Sequence, residues 1–395
     1  MKNINRNILL LGLVSLFTDI SSEMIFPVLP IFLDKFLHAS KTEIGLIEGF
    51  AEVTASFLKI FSGIISDKIG RKKPLIIAGY GISTFSKPLL YFANSWIFVL
   101  FIRVSDRIGK GIRTSPRDAL ISAYSTQEIS GKSFGIHRAM DTSGAILGTL
   151  LAFLFLFLLG ETEGTFRFIF LFSFIPASIA LFILIFLVKE PKEKIRAKTL
   201  KLKIDFKSLS LNFYKFLFIQ TLFTLITMNY AFMILKAENV GISIGFIPLV
   251  YLLFNISYAL FSYPIGNLSD KFGKIKIMIF IYLIFSVTAF CFTLNSQLFG
   301  WIGFVLYGVF MAGNETVSRA FISDFSEKEL KGTAYGMYHS VIGISSFLSL
   351  FLAGLIWDNF GANMPFYISS IVSLVLALIL LLIFKDSFNR IKKRA

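Results

Sequence analysis

The sequence predicts an all-α membrane protein with twelve transmembrane helices in two pseudo-symmetric six-helix bundles. Three observations predict it. The chain is 55% hydrophobic and only 16% charged, with the apolar residues gathered into blocks of about twenty. The basic residues fall almost wholly on alternate loops. The two halves of the chain repeat each other.

Blocks of this length match the bilayer, because about twenty residues at a rise of about 1.5 Å cover its hydrocarbon thickness of about 30 Å. A helix of a soluble protein keeps one polar face, whereas segments such as Leu150–Leu159 and Ile371–Phe384 are apolar all round. The blocks place helices at 8–34, 42–66, 74–94, 96–118, 132–158, 166–188, 215–237, 243–267, 275–295, 298–322, 332–357 and 363–385. Met1–Asn7 is short and basic before the first apolar run, like the start of a signal peptide. Asp19 and Glu23 interrupt that run and no small-residue cleavage site follows, so it reads as a retained membrane helix.

The formal net charge is +15, and its placement is a topology signal rather than a nucleic-acid footprint. With the N-terminus inside, 29 of the 39 lysines and arginines fall on the cytoplasmic side. The outer side carries only Lys35, Lys41, Arg167 and Lys236. Lys59, Lys87, Arg103, Arg107, Arg138 and Arg319 lie within helices. This asymmetry predicts an inner-membrane, multi-pass chain with both termini cytoplasmic. Cys291 is the single cysteine, so no intramolecular disulfide can form, and the three histidines, His38, His137 and His339, form no metal cluster. No cofactor is expected.

The organisation follows from the long polar stretch in the middle. Residues 1–188 form the first bundle, 189–214 a cytoplasmic linker, and 215–395 the second bundle with a basic tail. Gly63-Ile-Ile-Ser-Asp67-Lys68-Ile-Gly70-Arg71 matches Gly266-Asn-Leu-Ser-Asp270-Lys271-Phe-Gly273-Lys274 at a displacement of 203. Gly131-Lys-Ser-Phe134-Gly135 matches Gly332-Thr-Ala-Tyr335-Gly336 at 201. Two matches at nearly one displacement indicate a duplicated six-helix unit, a plan that places a site at the midplane between related halves.

The stretch Gly63-x-x-x-Asp67-Lys68-x-Gly70-Arg71, between helices two and three, resembles the loop signature of the major facilitator superfamily. Its second copy, with Asp270 and Gly273, stands between helices eight and nine, where that family places it. The resemblance covers the whole chain in helix count, topology and repeat. It implies the facilitator fold and a secondary transporter that works by alternating access, moves a small molecule, and is a monomer surrounded by lipid. It also implies a gating role for Gly63, Asp67, Gly70, Arg71, Asp270 and Gly273; a positive-inside turn without that role is the alternative. Gly144-x-x-x-Gly148-Thr149-x-x-Ala152 in helix five is similar to the Gly-rich signature of facilitator antiporters, with Thr149 where that pattern has Pro and Ala152 where it has Gly. Packing through small residues is the other reading of it. Arg103 resembles the embedded Arg of a second antiporter signature, with Asp106-Arg107 where Gln-Gly is usual.

Ionisable residues inside a bilayer are costly and mark cavities, partners or ion pathways. On helix one, Ser15, Asp19, Ser22 and Glu23 share one face, and Pro27 and Pro30 follow, where the helix should bend or break. Asp19 reads as a proton-coupling carboxylate or as the partner of Arg103, Arg138 or Lys59. The predicted coupling set is Asp19, Glu23, Arg103 and Asp106, with Arg103 a permanent counter-charge. On helix two, Glu48, Glu52 and Lys59 share a stripe; the carboxylates at i and i+4 repel unless one is protonated or paired. In helix five, Arg138 and Asp141 are spaced to pair. Together with Asn229, Asn255, Tyr258, Glu315 and His339 of the second half, these residues are the cavity candidates.

The absence of a phosphate loop, nucleophile constellation or metal cluster excludes an enzyme, so transport must draw on a gradient, with protons as the coupling ion. The primary reading is a proton-coupled exporter of an amphipathic or cationic compound. The alternative is a proton-coupled importer of a sugar, organic acid or other nutrient.

Overall fold

The structure is a computed structural model and describes residues 5–69, 71–125, 129–190, 209–324 and 331–383, with the backbone alone for residues 60, 63, 64, 66–69, 130, 331 and 332. Every regular element among them is helical. The chain divides into two compact units, residues 1–201 with 244–249 and residues 202–243 with 250–395.

In the first unit, Asn5 caps α1 (Arg6–Ile25) by accepting the amide of Asn7. Pro27 and Pro30 interrupt the rod, as the sequence predicts, and it resumes as α2 (Leu29–Lys35). There follow α3 (Lys41–Ile69) and α4 (Lys73–Ser86), which tightens into a 3₁₀ turn over Lys87–Phe92 where Pro88 removes an amide donor. Ser95 caps α5 (Trp96–Tyr124), which runs through Pro116 and ends six residues beyond the expected 118. α6 (Ser130–Leu159) stops at Gly160, at φ +84°. The last rod is α7 (Glu163–Phe172) with α8 (Phe174–Phe182), closed by a π turn at Ile183–Leu187. α1 packs on α6, while α5 packs on both α3 and α4.

In the second unit, α9 (Leu211–Ile226) breaks before α10 (Tyr230–Asn239), whose first turn is capped by the Asn229 side chain. The break frees carbonyls that lipid cannot satisfy. Ser369 donates to the carbonyl of Ile226 at 2.6 Å and Ser349 to that of Thr227 at 2.8 Å. Then come α11 (Ile247–Phe272), α12 (Lys274–Thr293), α13 (Gln297–Asp324), α14 (Lys331–Phe360) and α15 (Met364–Ile383). The core between α9, α12 and α13 is aromatic, with the rings of Phe223 and Tyr282 stacked at 3.8 Å. A polar thread crosses it: Tyr282 donates to Gln220 at 2.7 Å, and Gln220 to Asn314 at 3.0 Å.

With the broken pieces joined, these helices make twelve rods. Nine described stretches are long and apolar enough to cross a membrane. The other three are α3, α4 with its turn, and α5, which are laden with charge or interrupted at Lys87.

The loop copy between α11 and α12 shows why its glycine is needed. Gly273 sits at φ +94°, a backbone region that a Cβ disfavours. Gly273→Ala is expected to cost about 1 kcal/mol and to lower the thermal midpoint of the purified protein slightly. An unchanged midpoint would mean the turn relaxes to negative φ. Asp270 is exposed beside it. Of the first copy, Gly70 and the side chain of Asp67 lie outside the described residues, Gly63 is described by its backbone alone, and Arg71 is exposed.

Candidate functional site

The charged interior of the first unit rests on close helix approach. A Cβ on Gly109 would lie 2.6 Å from the Ser83 hydroxyl oxygen, and one on Gly111 would lie 2.5 Å from the Leu58 Cβ, so α5 meets both α4 and α3 at backbone distance. Ser62 donates to the Gly111 carbonyl at 2.8 Å, and Ser115 to the Lys59 carbonyl at 2.9 Å. These bonds set the axial register of α3 against α5.

That register places Arg103 on Glu48. Arg103 donates to Glu48 Oε1 from Nη2 at 2.6 Å and from Nε at 3.2 Å, with both side chains 3% exposed. Two guanidinium groups approach the Phe26 ring, with Arg103 at 5.1 Å and Arg107 at 5.0 Å from its centroid. The cations around Glu52 are Arg107, Lys59, Lys110 and Arg103. Asp106 is buried with Lys87 among its charged neighbours, and its backbone carbonyl accepts from Ser83 of α4 at 3.1 Å. Lys87 donates to Ser22 at 2.7 Å and to Ser21 at 3.1 Å, which ties α4 to α1. Arg113 donates to Ser83 at 2.5 Å and stacks over the Tyr80 ring at 4.4 Å.

A second polar seam runs between α1 and α6. A Cβ on Gly144 would overlap the carbonyl oxygen of Leu16, and one on Gly148 that of Ile20. The Gly-rich stretch of α6 therefore packs directly on the α1 backbone. Along the same seam, Ser15 bonds His137 at 2.7 Å, and the carboxyl groups of Asp19 and Asp141 are neighbours. Arg138 pairs with Asp141 at 3.1 Å from its exposed position. Glu23 is half-buried and acts on Asp19 as a further negative charge.

In the second unit, Glu315 accepts from Tyr258 at 3.1 Å and from Arg319 at 2.9 Å. Tyr335 donates to the Arg319 carbonyl at 2.8 Å, and His339 stacks beside Tyr335 and Tyr338. Tyr258, Glu315 and His339 thus belong to one neighbourhood. Asn229 is placed apart as a helix cap, and Asn255 is half-buried on α11.

The sequence leaves the partner of Asp19 open among three cations, and the structure gives a carboxyl group, Asp141. Arg103 is committed to Glu48, which also resolves the repulsion expected between Glu48 and Glu52. Sequence reasoning missed Lys87 and Arg107 as members of the network, and the Ser15–His137 bond. An isolated lysine just before Pro88 within an apolar run was the available signal for Lys87. No cluster that could hold a metal occurs among the described residues.

Comparison with known proteins gives the same fold and a family. A sequence model of the Major Facilitator Superfamily matches residues 11–237 and 216–395. The uncharacterised MFS-type transporter MJ1317 of Methanocaldococcus jannaschii is 34% identical over 392 residues, covering 97% of this chain and 96% of the relative. A point mutant of the nucleoside transporter NupG superposes with a TM-score of 0.82 at 15% identity, over 96% of this chain and 100% of that one. A D-xylose-proton symporter superposes at 0.73 with 14% identity, over 94% and 96% of the two chains. The structural matches show the shared fold, while the family match and the full-length relative show descent: the chain is a multi-pass membrane transporter of the major facilitator superfamily.

Proposed function

We propose that this transporter is proton-coupled and that the Asp19–Asp141 pair is the coupling site. The observation that carries the reading is that two carboxyl groups, Asp19 and Asp141, are neighbours on the packed membrane helices α1 and α6. Such a pair holds one proton while the helices are in contact. A conformational change that parts α1 from α6 would leave two separate carboxyl groups with different access to water, so proton loading and release would follow the transport cycle. Alternating access in the inner membrane, with both termini cytoplasmic, completes the proposal.

Export in exchange for protons is the direction favoured by the resemblance of Gly144–Ala152 and Arg103 to antiporter signatures. Uptake together with protons is the second reading, favoured by the D-xylose-proton symporter among the fold neighbours. Inverted membrane vesicles carrying an imposed pH gradient test both. Compounds that collapse the gradient in wild-type vesicles, but not in protein-free ones, reveal coupled movement, and the side to which the compound accumulates gives the direction. Asp19→Asn and Asp141→Asn are each expected to abolish most of that response at equal expression. Full response in Asp19→Asn would remove the pair from the coupling mechanism.

A further inference from the structure

The second unit holds an open cavity of about 630 Å³ where three helix ends meet: the end of α10, the turn from α12 to α13, and the turn from α14 to α15. All of its lining belongs to that unit. Lys236 is part of the lining and is only 1% exposed. Its ammonium donates to the side-chain oxygens of Asn363 at 2.5 Å, Asn295 at 2.8 Å and Asn239 at 3.1 Å. Each of the three ends thus sends one asparagine to the same lysine. Left-handed backbone shapes all three: Gly241 at φ +93°, Asn295 at +49° and Gly361 at +90°. Gln297 ties two of them together by donating to the Gly241 carbonyl at 2.8 Å.

An ammonium has three N–H donors and no acceptor, so the oxygen of each amide must face it. All three donors are then used. The Nδ2 groups turn away from the ammonium, and none of them has a hydrogen-bond partner among the described residues. Asn239 and Asn295 are exposed, so their N–H groups are open to a ligand. The amide oxygens solvate the charge of Lys236 without cancelling it. No carboxylate lies within ion-pair distance of Lys236 among the described residues. Glu238 of α10 and Asp358 of α14 are not part of the cavity lining, which holds no acidic side chain at all. One uncancelled cation beside several free N–H donors selects an anion with several acceptor oxygens. Phe360, 72% exposed at the same cavity, offers an apolar surface to whatever carries that anion.

We propose that this cavity binds a phosphate group, with Lys236 as counter-charge and the amides of Asn239, Asn295 and Asn363 as donors. The charge pattern of the sequence puts these helix ends on the outer side. The group therefore comes from a free phosphate or phosphorylated solute outside the membrane, or from a lipid headgroup of the outer leaflet. Its binding holds α10, the second piece of a broken helix, to the starts of α13 and α15. The site goes beyond the transport reading and does not rest on it, since Asp19 and Asp141 belong to the other unit.

The test is thermal unfolding of the purified full chain in a neutral detergent at neutral pH. Inorganic phosphate is titrated against potassium chloride at constant ionic strength. In a second series, phosphatidylglycerol in the micelle is compared with diacylglycerol, which lacks the phosphate. Wild type is expected to show a saturable rise in midpoint of about 3 °C once the ligand exceeds its dissociation constant a hundredfold. A rise with inorganic phosphate gives a free anion as the source; a rise with phosphatidylglycerol alone gives the lipid. Asn363→Asp is the deciding variant. It keeps an oxygen on Lys236 and supplies the missing negative charge, so it should start at or above the wild-type midpoint and lose the rise. Lys236→Gln should lose the rise from a lower starting midpoint, because three amide oxygens lose their shared donor. The proposal is overturned if neither ligand gives a saturable rise, or if Asn363→Asp keeps the wild-type rise. A starting midpoint for Asn363→Asp below wild type overturns it too, by showing that the charge of Lys236 is already balanced. The vesicle assay has no bearing on these outcomes, so failure of the coupling reading and failure of this site are told apart.

Discussion

Arg103→Ala is expected to destabilise the protein by about 3–5 kcal/mol, the range found when one member of a buried ion pair is removed. Glu48 would be left charged and 3% exposed, without the two donors that now satisfy its Oε1. The Phe26 ring would lose one of its two guanidinium contacts. Removing both charges, as Glu48→Gln with Arg103→Met, should recover most of the loss, because an apolar or neutral pair of similar volume avoids the desolvation cost. Thermal midpoints and size-exclusion profiles of the three variants in one detergent provide the check. A midpoint for Arg103→Ala equal to wild type would show that the pair is hydrated in the native protein. The double variant also separates roles: if it folds well yet transports nothing, Arg103 acts in the cycle as well as in the fold.

Gly148→Leu is expected to have an effect of similar size by a different route. The added side chain would overlap the carbonyl oxygen of Ile20, a backbone atom that cannot rotate aside. Overpacking a tight contact costs about 1–3 kcal/mol, and the upper end applies here because the obstacle is backbone on both sides. The functional loss should exceed the loss of stability. Forcing α1 from α6 separates Asp19 from Asp141, which are held in contact by that crossing. Gly148→Ala should be milder in both respects. Thermal midpoints and the vesicle pH-gradient response, measured side by side, decide it; a Gly148→Leu protein with wild-type midpoint and response would show that this crossing is loose.

Much of the fold could be read from the sequence because the bilayer leaves few choices. Backbone groups in lipid must be satisfied within a segment, so each apolar block of about twenty residues has to be a helix. Proline fixes where α1 gives way to α2, since it removes a donor and blocks the preceding turn. The repeat at 201–203 residues, with the basic loops, predicts two halves and the family without any coordinates. The end of α5 was harder to place: its last turns are polar, and hydropathy cannot tell a helix that leaves the bilayer from a loop, so 118 became Tyr124.

The site was legible only as a list of residues. Helical spacing shows that Glu48, Glu52 and Lys59 share one face of α3, and that Arg103, Arg107 and Lys110 share one face of α5. It does not show which of them meet, because that depends on the rotation and sliding of one helix against another. Those two quantities are set by close contacts distributed over the whole interface. Gly111 against Leu58 and Ser115 on the Lys59 carbonyl bring Arg103 to Glu48. Gly144 and Gly148 against α1 bring Asp19 beside Asp141. By itself, then, the sequence determined a twelve-helix facilitator with an unusually charged first half, because lipid dictates helices residue by residue. Only the tertiary structure decided which charges are partners, because a partner is a matter of helix register, and register is fixed by packing between segments far apart in the chain.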